Sequence, residues 1–308
     1  MGGSGGTFSG PGRSPSEHAE KLRKAAESSA LEFEVELAKE FGELLTRFNS
    51  RNTGEIQERL QEIKDALHDN LDSSFDTLFG GSVAKHTYVD GISDVDSLLV
   101  VSGPLEDANP QHVLGKVADA IRGSLDPSIQ VTTGRVAVTV LYPDGSEIQL
   151  IPAIRQETKL KVPGWETNSW STIDPRQFTD GLRKRNDECA GKLIPTLKLA
   201  KAINAGLPEN ARLSGYHIES LGVAAFRGYD GERTTVRMLP YFFKRASELV
   251  LRPMVDRTGQ SVHVDEQLGP ANSPARSAMS HLLSRMHQRM LNASAAKSPD
   301  RWKDLFDE

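Results

Sequence analysis

The stretch that most constrains this chain is Asp94-Val95-Asp96 running into the apolar segment Leu98-Leu99-Val100-Val101, with Gly80-Gly81-Ser82 a short distance upstream. Successive side chains of a strand point to opposite faces, so Asp94 and Asp96 are expected to project together while Val95 turns into the core. Two carboxylates on one face suit Mg2+, which takes hard oxygen ligands and is commonly held by one or two carboxylates together with substrate phosphates. A Gly-Ser turn just before such a strand offers backbone N–H groups to those phosphates. The chemistry implied is phosphoryl or nucleotidyl transfer. Alternating aspartates also occur on solvated strand edges, so the assignment leans on the segments around them.

Those segments read as an ordered series of elements. From Ser16 to Phe48, Leu31, Val35, Ala38, Phe41, Leu45 and Phe48 recur at helical spacing among charged residues, which predicts one long helix. Asn49 to Gly54 breaks it. A second helix is expected from Glu55 to about Phe79, through Ile56, Leu60, Ile63, Leu67, Leu71, Phe75 and Leu78, delivering the chain to the Gly-Ser turn. After the acidic strand and a loop over Gly103 to Pro110, Gln111 to Leu125 reads as an amphipathic helix. A hairpin follows: Arg135 to Leu141, the turn Pro143-Asp144-Gly145, and Glu147 to Ile151, with Pro152 ending the strand. Asp174-Pro175 opens a helical half, with helices near Pro175 to Asn186, Leu193 to Asn204, Gly215 to Arg227, Leu239 to Leu251 and Ser273 to Ala293. Trp302, Leu305 and Phe306 share a face at helical spacing and are expected to dock as a short amphipathic helix.

Composition narrows the function classes. At 308 residues the chain holds one large or two closely packed domains with a substantial core. No apolar run approaches the ~20 residues needed to cross a bilayer. A formal net charge of −5 argues against the broad basic face of a general nucleic-acid binder. The best local basic groove would be Arg183, Lys184 and Arg185 with Lys192, Lys198 and Lys201, although a charge run is as readily a solvated helix face. The single cysteine, Cys189, excludes an internal disulfide and a thiolate zinc cluster, and it suits a reducing cytoplasm. Residues 1–15, rich in Gly, Ser and Pro, are expected to form a disordered tail rather than a signal peptide.

Gly80 to Val101 resembles the phosphate turn and acidic strand of the DNA polymerase β-like nucleotidyltransferases. Three further segments, Asp144 to Ala153, Gly191 to Asn204 and Leu213 to Phe226, resemble one branch of that superfamily in the same order. That branch is the cGAS/DncV-like nucleotidyltransferases (CD-NTases), related in layout to the oligoadenylate synthases. The resemblance covers about Ser16 to Phe306. It implies an α/β (α+β) fold: a polymerase β-like core sheet, a long N-terminal spine helix along the back of both lobes, and a C-terminal helical lobe, with the active site in the cleft between them. The expected division is 16–173 for the nucleotidyltransferase core with its spine helix and 174–308 for the helical lobe.

The same resemblance assigns roles. Asp94 and Asp96 would each touch metal, two Mg2+ ions being expected, with Mn2+ able to substitute. Gly81 and Ser82 would grip the β- and γ-phosphates. Lys201, with Lys198 one helical step away, would contact the triphosphate; Ser214 would bond phosphate at a helix start or simply cap that helix, and Tyr216 would offer its ring to the base. Lys85 and His86 are candidate lining residues. His217 and Glu219 match structural helix positions. The third carboxylate of the family falls at position 149, where this chain has Gln149. An amide oxygen is a weaker ligand than a carboxylate and accepts no proton. Three readings stay open: Glu147, two residues earlier on the same strand face, supplies the acid; Gln149 serves directly; or the site binds nucleotide and turns over poorly.

The resemblance implies a cytoplasmic, template-independent nucleotidyltransferase joining NTPs, ATP foremost, into a cyclic or short linear oligonucleotide. That product would be a second messenger acting on a separate effector in bacterial antiphage signalling, with no membrane association and no strong nucleic-acid binding. The alternative is a catalytically impaired nucleotide-binding or regulatory protein, or a transferase that modifies protein, on the same fold. The closing sequence, Trp302 to Glu308, does not resemble the small-residue tail of members activated by C-terminal conjugation, so no such conjugation is expected.

Overall fold

The computed structural model describes residues 15–49, 53–79, 95–157, 159–164, 168–256 and 263–306. Two helices open the chain, α1 (Pro15–Phe48) and α2 (Thr53–Asn70). Seven strands then build one mixed sheet: β1 (Ser74–Phe79), β2 (Val95–Ser102), β3 (Gln130–Thr133), β4 (Val138–Leu141), β5 (Glu147–Gln156), β6 (Lys159–Pro163) and β7 (Trp170–Ile173). A helix, α3 (Pro110–Ser124), lies between β2 and β3 in sequence. The order across the sheet is β1-β2-β5-β4-β3, with β6 joining the far half of β5 and β7 pairing β6. Only β2 and β5 run parallel among these pairs.

Burial separates the two faces of the sheet. On one, Leu99 and Val101 of β2, Val138 and Val140 of β4, and Ile148 and Leu150 of β5 pack with Leu60, Ile63 and Leu67 of α2 and Val113, Leu114, Val117 and Ile121 of α3. On the other, Leu98, Val100, Ala153, Leu160, Val162 and Ile173 form a smaller cluster. The two-residue period of β2 therefore feeds both faces, which is why its sequence is a solid apolar run rather than an alternation.

The helical half consists of α4 (Pro175–Glu188), α5 (Leu193–Ala205), α6 (Gly215–Ala225), α7 (Thr235–Leu249), α8 (Pro274–Ala295) and the short α9 (Pro299–Lys303). Its core takes in Leu193, Leu197, Leu221, Leu239, Phe242, Leu283 and Met290. Phe33, Leu37 and Phe41 of α1 join this same cluster, as do Trp302 and Leu305 at the other end of the chain. Trp302 meets Phe41 edge-on at 5.4 Å between ring centroids, so the closing segment docks on α1, but only Trp302 sits in a helix and Leu305 and Phe306 follow in a turn rather than on a continued helical face.

Three local expectations are corrected. The apolar spacing that continues past Asn70 is not helical: α2 stops there and Ser74–Phe79 is a strand paired antiparallel with β2. Leu71-Asp72-Ser73 breaks the helix, and Phe75 is buried by two-residue alternation instead. In α1 the buried row is Phe33, Leu37 and Phe41; Leu31 and Val35 are 65% and 64% exposed. Both rows satisfy a 3.6-residue period, and the bulkier one is buried. Finally, Pro152 does not end β5. The strand pairs β4 as far as Leu150 and β6 only from Ile154, so on that side the proline falls in the gap between the two ladders, while on the other it stays in register with Leu99 of β2.

Candidate active site

β5 carries the site through its register. Val95 pairs with Ile148 and Asp96 with Gln149 on the β2 side, while Thr139 pairs with Gln149 on the β4 side. Asp96, Gln149 and Thr139 thus form one row across three strands. Ile148 and Leu150 are buried under α2 and α3, so Glu147, Gln149 and Ile151, each half-buried, project from the opposite face. Gln149 Nε2 donates to Glu147 Oε1 at 2.8 Å. The neutral amide and the neighbouring carboxylate of the expected third-ligand position are therefore one hydrogen-bonded unit.

The start of β5 is held from outside the sheet. Arg59 of α2 donates to Asp144 Oδ2 at 2.8 Å, reaches Ser146 Oγ and Glu55 as well, and stacks its guanidinium over the Tyr142 ring at 4.2 Å from the centroid. Gly145 takes a φ of +85°, which the tight turn requires and L side chains resist. Arg59 and the Ser146 hydroxyl hold the Asp144 carboxyl well below its usual range, and burial pushes the Tyr142 phenol up to about 12. This clamp ends one residue before Glu147.

Asp94, Gly81 and Ser82, like Lys85 and His86, lie outside the described residues, and Asp96 is described by its backbone register alone. Among the described residues there is no cluster of three or more His, Cys, Asp or Glu able to hold a metal.

In the helical half the structure brings some sequence-predicted residues together and separates others. Lys201 of α5 is 3% exposed, and its Nζ donates to Glu219 Oε1 of α6 at 2.8 Å. A Cβ on Gly215, the first residue of α6, would stand 3.4 Å from the Lys201 Cε and Nζ atoms, so glycine there lets the ammonium sit against the helix start. Ser214 caps α6, accepting from the His217 N–H at 3.2 Å, with its side chain in an exposed position. Tyr216 donates its hydroxyl to Asp256 Oδ1 at 2.8 Å and packs against Phe178 of α4 at 4.8 Å, the rings tilted by 68°. Lys198 departs from this group: its Nζ reaches Asn49 Oδ1 at the end of α1. The basic cluster is likewise dispersed, with Arg185 paired to Glu188 and Lys201 to Glu219.

Behind Tyr216 lies a buried polar knot that sequence reading missed. Arg276 and Asp265 are both 0% exposed. Arg276 Nη1 donates to Asp265 Oδ2 at 2.7 Å and to the Val250 carbonyl at 3.0 Å, while its Nε donates to the Gly269 carbonyl at 2.8 Å. Asp265 Oδ1 accepts the Met254 N–H at 3.0 Å. Burial pushes Asp265 up, but the hydrogen bonds from Arg276 and Met254 outweigh it and leave the carboxyl below its usual value. His217 Nε2 lies 3.5 Å from Asp265 Oδ2, and burial, only partly offset by that carboxylate, pulls the imidazole down to about 4. His217 is thus fully buried and neutral near pH 7. No motif marks Thr139, Phe178, Asp256 or Arg276; each is found only by folding the chain.

Residues 36–186 match the sequence profile of the Second Messenger Oligonucleotide or Dinucleotide Synthetase domain, which contains the whole sheet described above. This region is a domain of the CD-NTase kind. Solved CD-NTases superpose on it at low identity. CdnC of Escherichia coli MS115-1, solved with ATP, aligns with a TM-score of 0.64 at 17% identity, covering 83% of this chain and 92% of CdnC. The cyclic AMP-GMP synthase DncV of Vibrio cholerae, bound to nonhydrolyzable GTP, gives 0.62 at 13% identity over 95% of this chain and 90% of its own. CdnG of Bradyrhizobium diazoefficiens, in complex with GTP, gives 0.62 at 15% over 83% and 92%. No curated protein sequence matches the chain. With that synthetase domain the protein is a nucleotidyltransferase, and its mixed sheet with a helical second half is the polymerase β-like fold. No helix of the described residues is long and apolar enough to cross a membrane.

Proposed function

We propose that this CD-NTase joins NTPs without a template, in a divalent-metal-dependent reaction, into a cyclic or short linear oligonucleotide messenger. The observation that carries the reading is the register of β2 on β5, which sets Asp96 level with Gln149 and its bonded carboxylate Glu147. That donor set is all oxygen once the Gln149 amide turns its carbonyl outward, and it fits a hard cation such as Mg2+. When bound, Mg2+ supplies charge neutralisation at the phosphates and a more acidic attacking hydroxyl. The chain's own contributions are positional. Asp94, Asp96 and the Glu147–Gln149 unit would hold the cation; Gly81 and Ser82 would take the terminal phosphates; Lys201, oriented by Glu219, and the capping Ser214 would face the triphosphate at the start of α6. Tyr216 supports the base. Lys198, drawn toward Asn49, plays a peripheral part at most.

ATP is the expected first substrate, the product is expected to diffuse to a separate effector, and the setting proposed is bacterial antiphage signalling in the cytoplasm. Purified protein incubated with Mg2+ and labelled NTPs should release pyrophosphate and yield a product resistant to phosphatase. Label left on unconverted NTP, or attached to polypeptide, would overturn the messenger reading.

The second reading, an impaired nucleotide binder or a protein-modifying transferase, is favoured by Gln149 itself, whose amide nitrogen faces Glu147. Two substitutions separate the cases. If the pair works as a unit, Glu147→Gln should cost roughly 10- to 100-fold in Mn2+ affinity, the range typical for the outer supports of a metal ligand, and Gln149→Asp should bring like charges together and lower turnover. A large gain from Gln149→Asp, measured as pyrophosphate release, would instead mark a degenerate site.

A further inference from the structure

Tyr216 is held from two sides. Its hydroxyl bonds Asp256, which is 8% exposed, and its ring abuts Phe178, 2% exposed on α4. Asp256 belongs to an arm that leaves the end of α7 and returns to α8. The arm's stem is closed by the Val264 N–H donating to the Met254 carbonyl at 2.9 Å and by a bridge between Val255 and His263. Arg276 pins its root at Val250, Asp265 and Gly269. Consecutive residues of α6 therefore touch both sides of one stem, Tyr216 at Asp256 and His217 at Asp265. A phenol ring has two broad orientations about its last torsion and several side-chain rotamers. The hydroxyl bond and the Phe178 edge select one.

We infer that Asp256 is a positioning residue for nucleotide binding: it fixes the Tyr216 ring in the attitude that receives the base. The inference rests on the reading of Tyr216 as the base support. Ordering one side chain in advance is worth roughly three- to tenfold in affinity, because that entropy is no longer lost on binding. Asp256→Ala should weaken binding of a non-hydrolysable ATP analogue by about that factor, raising KM for ATP with kcat little changed. Asp256→Asn should restore near-normal binding, since the amide oxygen still accepts the Tyr216 hydroxyl. Tyr216→Phe should match Asp256→Ala, and the double variant should be no weaker than either single one, as two ends of one bond require.

Normal analogue binding by Asp256→Ala, an Asp256→Asn variant as weak as Asp256→Ala, or additive losses in the double variant would each overturn the inference. Should Asp256→Ala fail to fold, Asp256→Asn against Tyr216→Phe decides: the inference requires the first to bind normally and the second weakly. Tyr216→Ala separates the two levels. If it leaves analogue binding intact, the base-support reading fails; if it weakens binding while Asp256→Ala does not, only the role given to Asp256 falls.

Discussion

Asp96→Ala is expected to remove pyrophosphate release by on the order of a thousandfold, the scale seen when a preorganised group serving the transition-state charge is lost. The size follows from the neighbours. Across the sheet from Asp96 stand Gln149 and Thr139, neither ionisable, so within its row of register partners no other acid can take over. Glu147 is one step off that row and bonded to Gln149. Structure should survive the change, because the packing of β2 comes from Leu98, Leu99, Val100 and Val101 beyond the aspartate. Circular dichroism and analogue binding are the controls; turnover at the wild-type rate in a folded Asp96→Ala protein would remove β2 from the catalytic site.

Arg276→Ala should produce the largest loss of stability. The guanidinium is fully buried and serves a carboxylate and several carbonyls that water cannot reach. Deleting one partner of a buried pair strands the other charge and typically costs ~3–5 kcal/mol, which corresponds to a melting temperature lower by about 10 °C for a chain of this size. Arg276→Lys should recover little, since an ammonium cannot reproduce the planar fork. A change of only a degree or two would mean that the knot is solvated.

The same knot gives stability a pH dependence whose sign can be stated. His217 is held near 4 in the folded chain against 6.5 when exposed. Below pH 6.5 the unfolded chain therefore takes up a proton that the folded chain refuses, and stability falls as acid is added from pH 6.5 towards 4. Asp265, held below its usual range, adds to the loss at still lower pH as its carboxylate is protonated. His217→Gln should flatten the upper part of that fall, read as denaturation midpoints across the window.

Much of the architecture was legible because it depends on local chemistry. The amphipathic periods of α3 and α4 to α8 and the Pro143-Asp144-Gly145 turn each follow from residue spacing within one element. Phe75 and Leu78 read as helical from sequence because a short apolar pair fits both a 3.6- and a two-residue period, and only the pairing of β1 with β2 decides. Strands β3 and β7 lie at sheet edges, where the pattern is weak, β3 being almost wholly exposed, and β6 is too short a run to show a period. In the site, the proximity of Glu147 to Gln149 was readable from strand alternation, whereas the departure at position 149 was visible only through the family resemblance. The Asp256 contact to Tyr216 was not, since it joins residues 40 apart in sequence through a loop with no motif. Nor was the partner of Lys201, a glutamate on the next helix whose role depends on how α5 and α6 cross.

Pro152 divides β5 into two functional lengths. Upstream, the strand is bonded to β2 and β4 and bears Glu147 and Gln149; downstream it is bonded to β2 and β6 and leads to β7. Because no β4 or β6 ladder spans the proline, the β6–β7 hairpin is anchored on β5 separately from the segment that bears Glu147 and Gln149, whose alignment is set by β2 and β4 alone. A distortion of that hairpin therefore has no continuous ladder on the β4/β6 side through which to reach Glu147 and Gln149.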